Sequence, residues 1–443
     1  MLFKDKKIAI IGGGLVGSLL SIYLANKGAK VCIYERRNDM REQDIDAGRS
    51  INLALSNRGI KSLKEVGIDN EVLANTMPMF RRIMHSTEGD LTNQEYGKKG
   101  QAIFSVGRSD LNCVLMDLAE KKGVKIFFSQ KCLDIDFEST TLYFENKTPQ
   151  KYDFVFGADG TGSVVRKKMK EKYSVKTEER FIDCGYKELT IPAGKNGEYL
   201  ISKDALHIWP RGSYMIIALP NPDATFTCTL FFPMKGHNSF ENLKNKKDVF
   251  DFFKTNFHDL LKLIPDLSEQ YFNNPLSPLG LVRSESWLEN NIALIGDSCH
   301  ATVPFYGQGM NCGFEDCYLL NEYINSCKSF EEFKFNLNSF LKERKKDTDA
   351  MQELSLYNFI VMRDKTADKD FLLQKKIEAK FSLKHPDKWI PLYSMVSFSD
   401  IRYSDALEIG QKQNLIMEKV MKTPNINTIW ESKEIERLIL SYL

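Results

Sequence analysis

Short apolar runs, each closed by glycine or an acidic residue, recur along this chain and give its first outline. Lys7–Ile11 is such a run, and its length and flanks predict a buried strand. Residues 12–14 turn the chain and 15–27 continue as a helix. Residues 31–34 form the next strand, ending at Glu35. Residues 50–66 read as a loop followed by a helix, and 108–122 as another helix. Residues 124–129, 131–137 and 141–145 read as a meander of short strands, and 151–156 as a buried strand closed by GADGTGSVVR. Between about 180 and 280, β-rich pieces such as LHIWP, YMIIALP and FTCTLFF alternate with turns. Residues 292–295 are a last buried strand, and from about 314 the pattern is helical to the end.

This order predicts an α/β protein. A Rossmann-type dinucleotide fold is assembled from discontinuous segments, a β-sheet domain is inserted, and a helical region follows at the C-terminus. The expected partition gives residues 1–75, 105–180 and 285–345 to the dinucleotide fold. Residues 76–104 and 181–284 go to a substrate-binding β-sheet domain, and 346–443 to the helical region. The length of 443 residues accommodates two or three domains at ~100–200 residues each.

Charge and cysteine content narrow the setting. Net charge is +2, from 61 basic and 59 acidic residues, which offers nothing to nucleic acid or a membrane surface. Nine cysteines occur without a CxxC pair, which predicts a reducing, cytoplasmic setting with thiols as small core residues and no metal site. Residues 8–26 are uncharged and follow Lys4, Lys6 and Lys7, as in a signal or membrane segment. Consecutive glycines at 12–14 argue against a single helix there, at ~1 kcal/mol each relative to alanine.

Gly12-x-Gly14-x-x-Gly17 lies between the first strand and helix, with Glu35 placed to accept from a ribose at the end of the next strand. The first glycine makes the tight turn and the second lets a pyrophosphate approach the backbone. The third lets helix and strand pack closely. The helix start supplies N–H donors and positive dipole to the phosphates. A second strand end, GD at Gly296 and Asp297, offers a carboxylate to a ribityl hydroxyl. It is followed by Gly307, Gly309, Met310 and Asn311 at another helix start. Asp159 in GADG repeats the design. Three such ends converging on one extended ligand predict FAD.

GGGLVG, GADGTGSVVR and ALIGDSCHATVPFYGQGMN together resemble the single-component flavin aromatic hydroxylases, the p-hydroxybenzoate hydroxylase class. Within that class, AGRSINLALSNRGI, RIMHSTEGD, EYGKKGQ, PFYGQGMNCGFED, LYNFIVMRD and IPLYSMVSFSDIRY resemble the kynurenine 3-monooxygenase family, over the chain to about residue 405. The resemblance implies roles residue by residue. Gly12, Gly14, Val16 and Gly17 hold the pyrophosphate region, and Glu35, Arg36 and Arg37 flank the adenosine. Ala54, Arg108 and Leu133 line the cofactor path, and Asp297, Met310 and Asn311 grip the ribityl and isoalloxazine. Arg82 and Tyr96 clamp the carboxylate of L-kynurenine, and Asn358 and Tyr393 complete the amino-acid end of the pocket.

The implied reaction is NADPH- and O2-dependent hydroxylation of L-kynurenine to 3-hydroxykynurenine through a flavin C4a-hydroperoxide. No catalytic side chain is required, since the ring's own amine directs the attack. NADPH acts as a transient co-substrate, because no second GxGxxG is present. The resemblance implies no protein partner. The C-terminus departs from eukaryotic members, which carry a membrane anchor: IERLILSYL is too short and too charged at its start to span, so no anchor is expected. Val361 stands where the family often has Glu. The alternatives are a related hydroxylase acting on a phenolic acid, and a non-catalytic binding protein on a flavin-type fold.

Some residues have plainer readings. Arg81 and Arg82 point to opposite faces if their segment is a strand, so one enters the pocket, and motif register favours Arg82. Tyr96 before Gly97 could cap a hairpin. His85 and His300 read as hydrogen-bonded core or loop histidines, since the sequence shows no partner carboxylate for either. Cys312 and Cys317 read as packing residues on different faces of a helix.

Overall fold

The strand Lys7–Ile11, apolar and buried beyond its first residue, lies inside a six-stranded sheet in the computed structural model, which describes residues 1–42, 52–96, 98, 100–362 and 368–443. Residues 47–51 of AGRSINLALSNRGI, Gly97 and Lys99 of EYGKKGQ, and Arg363 and Asp364 of LYNFIVMRD lie outside the described residues. In order across the sheet, the strands are Leu288–Glu289, Ile292–Leu294, Phe154–Gly157, Lys7–Ile11, Lys30–Tyr34 and Lys125–Phe127. All neighbours are parallel except the first pair. The central strands are apolar on both faces because helices cover both. Their C-terminal ends therefore gather at one edge, where Gly12, Glu35, Ala158 and Gly296 follow.

A seven-stranded sheet forms the second layer. Its order is Ser277–Ser284, Thr177–Ile191, Phe226–Pro233, Met215–Pro220, Ala205–Pro210, Arg81–His85 and Leu91–Glu95. Pairing is antiparallel except between Ala205–Pro210 and Arg81–His85. Its outer face packs Leu189, Trp209, Ile216, Leu230 and Phe232 against the helices Lys246–Asn256, His258–Leu261 and Leu267–Asn273. Its inner face looks toward the helical part of the chain and carries Met215, Phe231 and Leu219. The long helix Phe330–Ile360 and the helices from Lys369 to Tyr442 complete the molecule.

Three expectations need correction. Residues 52–55 are a strand, not a loop: Asn52–Leu55 pairs with Ile103–Gly107, which also pairs with Met77–Met79. Lys125–Phe127 joins the parallel sheet beside Lys30–Tyr34 and stacks Phe127 on Tyr34, so only Cys132–Asp136, Thr141–Phe144 and Gln150–Lys151 form the meander. Local alternation does not say which sheet a strand joins. Residues 246–273 are helical within the stretch read as β. Val249, Phe252 and Phe253 carry the helical spacing, and the Asn245 side chain caps the start by accepting from Asp248 N. Among the described residues no helix is long and apolar enough to cross a membrane.

Candidate active site

The glycine turn is shaped by what lies behind it. Gly12 has φ +104°, and a Cβ there would stand 2.5 Å from Ala158 O. A Cβ on Gly17 would stand 2.1 Å from Gly12 O. Only glycine lets the first helix, Leu15–Asn26, sit this close to the strand ends. Gly14 differs: it is the N-cap, and a Cβ there would meet nothing within 4 Å. The space before the helix start is open, and the first N–H groups of a helix lack internal partners.

Glu35 borders this turn. Its Oε2 accepts from Gly13 N at 2.9 Å, and its Oε1 from Arg37 N at 2.9 Å and Arg37 Nε at 2.8 Å. Burial alone would raise the carboxyl, but these bonds hold it below the usual range. Arg36 and Arg37 are exposed. Asp159 Oδ2 accepts from Val164 N at 2.7 Å, while its Oδ1 is buried without a partner among the described residues. Burial pushes that carboxyl up. Leu133 is 42% exposed next to Cys132, whose thiol is pushed up to about 12 by burial and by the Asp159 carboxylate.

Val16 joins this half to the rest of the site. A Cβ on Gly313 would stand 2.6 Å from Val16 Cγ2, and one on Gly296 3.1 Å. The helix Gly309–Ser326 and the Gly296 turn thus close directly onto the first helix, leaving Asp297 exposed. Asn311 is fully buried. Its Oδ1 accepts from Ser56 N at 2.9 Å, and its Nδ2 donates to Ala54 O at 2.8 Å and Gly307 O at 2.9 Å. It holds Ala54 beside Gly307, and its contact with a cofactor would run through its backbone. Met310 lies half-buried beside it, and Arg108 is exposed at the start of Arg108–Lys121. These residues fit FAD: an open helix start for the pyrophosphate, an orphaned carboxylate oxygen at Asp159, and an exposed carboxylate at Asp297.

The inner face of the seven-stranded sheet supplies the other half. Register sets Met84, Ile208, Ile217, Thr229 and Glu188 in one row across the strands, and Met215, Phe231 and Tyr186 in the next. Arg82 shares this face. Its guanidinium lies 4.3 Å from the Tyr393 ring centroid and 5.0 Å from that of Tyr96. Tyr96, Tyr393 and Tyr306 form a stack with centroid spacings of 5.3 and 5.5 Å. Among the described residues Arg82 Nε and Tyr96 Oη are buried without a hydrogen-bond partner, and no carboxylate lies within ion-pair distance of Arg82. Burial pushes the Tyr96 and Tyr306 phenols above their ordinary value, so both remain protonated donors. Asn358 Nδ2 donates to Phe305 O at 2.6 Å, and Phe305 packs on Phe231 at 4.9 Å. Arg81 points the other way and pairs with Asp204 at 3.0 Å.

Both histidines do have partner carboxylates, contrary to the sequence reading, though both remain buried structural groups. His85 Nδ1 lies 3.1 Å from Asp259 Oδ2, and His300 Nε2 lies 2.6 Å from Asp316 Oδ2. Asp259 is 174 residues from His85, so no local motif reveals it, and Asp316 is 16 residues from His300, a spacing that no single helix or strand sets. His300, Cys312 and Asp316 bring three donor atoms together, but Arg344 donates to Asp316 at 2.8 Å and to Cys312 Sγ at 3.4 Å. A guanidinium occupies the place a cation would take. Cys312 and Cys317 are both buried, in different clusters, on opposite sides of their helix.

An FAD binding domain family, FAD_binding_3, matches residues 5–328. A kynurenine 3-monooxygenase of Flavobacterium johnsoniae is 49% identical over 443 residues, covering 99% of this chain and 98% of its own. The chain belongs to the kynurenine 3-monooxygenase family. A second member, from Christiangramia forsetii, is 46% identical, with 99% of each chain covered. The fold is shared with 2-methyl-3-hydroxypyridine-5-carboxylic acid oxygenase (TM-score 0.69, 18% identity, 87% of this chain and 98% of that one). It is shared also with the tetracycline destructase Tet(51) (TM-score 0.61, 17% identity, 89% and 99%). As a member of the kynurenine 3-monooxygenase family, the chain is an FAD-dependent monooxygenase.

The sequence reading passed over Tyr306, Ile217, Phe231 and Glu188. Alternation within YMIIALP and FTCTLFF was visible, but which of the two faces looks inward depends on the helices 246–273, which were not read as helices. Tyr306 stood within PFYGQGMN, where nothing local marks its stacking on Tyr393.

Proposed function

We propose that this enzyme hydroxylates L-kynurenine to 3-hydroxykynurenine, using FAD, NADPH and dioxygen. The observation that carries this reading is Arg82: a cation with a buried Nε, no carboxylate partner among the described residues, and two tyrosine rings against it. A desolvated cation is costly unless an anion meets it, and a planar guanidinium suits a carboxylate. Tyr96 Oη adds a protonated donor with no acceptor in hydrogen-bond geometry among the described residues. Beyond Arg82 the face becomes apolar through Ile217, Phe231 and Phe305, where an aromatic ring packs. An amino acid bearing an aniline ring matches that order of polar and apolar contacts, and the names of the relatives agree.

FAD, when bound, supplies an oxygen electrophile made from dioxygen with electrons from NADPH. The chain's own residues bind, orient and exclude water. Gly12, Gly14, Val16 and Gly17 receive the pyrophosphate. Glu35, Arg36 and Arg37 take the adenosine end, and Arg108, Leu133, Asp159, Asp297, Ala54, Met310 and Asn311 border the remainder. Arg82, Tyr96, Tyr393 and Asn358 fix the amino-acid end of the substrate. The partition into a dinucleotide fold, an inserted sheet domain and a helical region accompanies this reading, supported by the membership of the two large sheets. The test is NADPH consumption with and without L-kynurenine, with the product identified by mass. Consumption should be slow alone and rise with L-kynurenine, giving a product heavier by one oxygen. Stimulation by a hydroxybenzoate and not by kynurenine would move the assignment to a phenolic-acid hydroxylase.

A further inference from the structure

On the outer face of the seven-stranded sheet, away from Arg82, a continuous polar chain runs from half-buried Asp259 through two buried histidines to exposed Ser202. His85 Nδ1 lies 3.1 Å from Asp259 Oδ2, which also accepts from Trp209 Nε1 at 2.7 Å. His85 Nε2 lies 2.8 Å from His207 Nδ1, and His207 Nε2 lies 2.8 Å from Ser202 O. The residues His85 and His207 are 5% and 2% exposed.

Counting protons along this chain leaves one arrangement. The Ser202 carbonyl only accepts, so His207 Nε2 must carry a hydrogen. Asp259 is ionised: burial alone would raise it, but hydrogen bonds from His85 and Trp209 hold it well below the ordinary value. It therefore accepts as well, and His85 Nδ1 must carry a hydrogen. A neutral imidazole has one N–H. Two neutral rings would thus face each other through bare lone pairs at 2.8 Å.

We propose that the His85–His207 pair holds one proton more than two neutral rings, with Asp259 as counter-charge. The resulting N–H···N bond pins the strand carrying Arg82 to its neighbour and to the helix His258–Leu261. His85 is then a positioning residue, and this part rests on reading Arg82 as the substrate's carboxylate clamp. The extra proton resides on His85, which adjoins Asp259 and stacks on the Trp209 ring at 3.9 Å, a surface that favours a cation. His207 is the poorer host, since burial pulls it down to about 4. The other charges facing the pair are Arg211, which donates to His85 O at 2.9 Å, and the Arg81–Asp204 pair beside His207.

The experiment uses FAD-loaded enzyme containing nitrogen-15-labelled histidine, with six histidines per chain to resolve. At about pH 7.5, where an ordinary histidine is mostly neutral, one ring should show protons on both nitrogens. That signature should vanish in His85→Gln and in Asp259→Asn and persist in His258→Gln, with FAD content as the check on folding. Neutral rings at both positions in the unmodified enzyme overturn the proposal, whatever the variants do. The positioning role is read separately. His85→Gln should raise KM for L-kynurenine several-fold with little change in kcat, and an unchanged KM overturns that role. A failed kynurenine assignment would leave the nitrogen spectrum unaffected, so the two failures are distinguishable.

Discussion

Arg81 and Arg82 are neighbours in sequence with opposite environments, and that contrast is the sharpest test of the pocket. Arg82→Ala should weaken L-kynurenine binding by about 1.5–3 kcal/mol for each charge-assisted bond lost, or about 10- to 150-fold per bond. Arg82→Lys should recover part of this, because an ammonium lacks the planar fork. Arg81→Ala should change affinity little, since its pair with Asp204 is a partly exposed one of ~0–1 kcal/mol. Titration of bound-flavin absorbance with substrate reads all three, and a loss in Arg81→Ala alone would reverse the assignment. Glu188 makes a second prediction on the same face. Its carboxyl has no hydrogen-bond partner among the described residues; burial pushes it up to about 7, while Arg108 draws it partly back. An unfolded glutamate titrates near ~4.3, so between the two values the native state holds a proton that the unfolded chain has lost. The associated stability is full below about pH 4.3 and declines as pH rises through about 7. Glu188→Gln cannot ionise, so from about pH 5 to 8 the wild-type Tm should fall relative to the variant. Parallel curves in thermal unfolding would show that the carboxylate is solvated.

At the scale of elements, the glycine turn separates a folding requirement from a binding one. A Cβ at Gly17 collides with backbone 2.1 Å away, so Gly17→Ala must push the first helix off its strand, at ~1–3 kcal/mol for such overpacking. A Cβ at Gly14 meets no protein atom within 4 Å, and its backbone has φ −79°. Gly14→Ala should therefore leave the Tm of FAD-depleted protein nearly unchanged and weaken FAD binding by crowding the pyrophosphate. Gly17→Ala should lower that Tm directly. Thermal unfolding and FAD titration on the two variants decide it, and equal effects on both readouts would remove the distinction. This turn was legible in the sequence because one local spacing encodes strand, turn and helix together. Lys7–Ile11, Leu15–Asn26 and Arg108–Lys121 were expected within a residue of where they lie. Asn52–Leu55 was not, because only its last residue is fully buried and no strong alternation marks it. Lys125–Phe127 was assigned to the wrong sheet because its partner, Lys30–Tyr34, is far away in sequence. The His85–Asp259 pair was hidden for the same reason.

At the scale of the molecule, the C-terminal helices are tied to the cofactor side through buried charge. Arg344, 4% exposed, reaches Asp316 at 2.8 Å and Glu315 at 2.8 Å on the helix Gly309–Ser326. Arg58, on Asn57–Glu65, pairs with the same Glu315, donates to Val396 O at 3.1 Å and to Ile401 O, and lies 4.0 Å from the Tyr403 ring centroid. His300 closes the network on Asp316. The helix Asn57–Glu65 and the consecutive helices Gly309–Ser326 and Phe330–Ile360 thus share one set of carboxylates beside Asn311 and Gly313. Burying charge is unfavourable unless every member is met, so removing one member harms more than the pair contributes. Arg344→Met fills much of the space and leaves Asp316 and Glu315 short of a counter-charge. It should cost about 3–5 kcal/mol in denaturant unfolding, and FAD retention should fall with it because the helix start at Gly309 loses its brace. Arg402→Ala, at a side chain 43% exposed, should cost less: its partner Glu343 is half exposed, and the buried Asp347 still accepts from Ser404 Oγ at 2.7 Å. If Arg344→Met matched Arg402→Ala in stability and kept full FAD, the C-terminal helices would be held by their apolar cluster of Met351, Leu354, Val396 and Tyr403 alone, and the charge network would have no part in bracing the cofactor side.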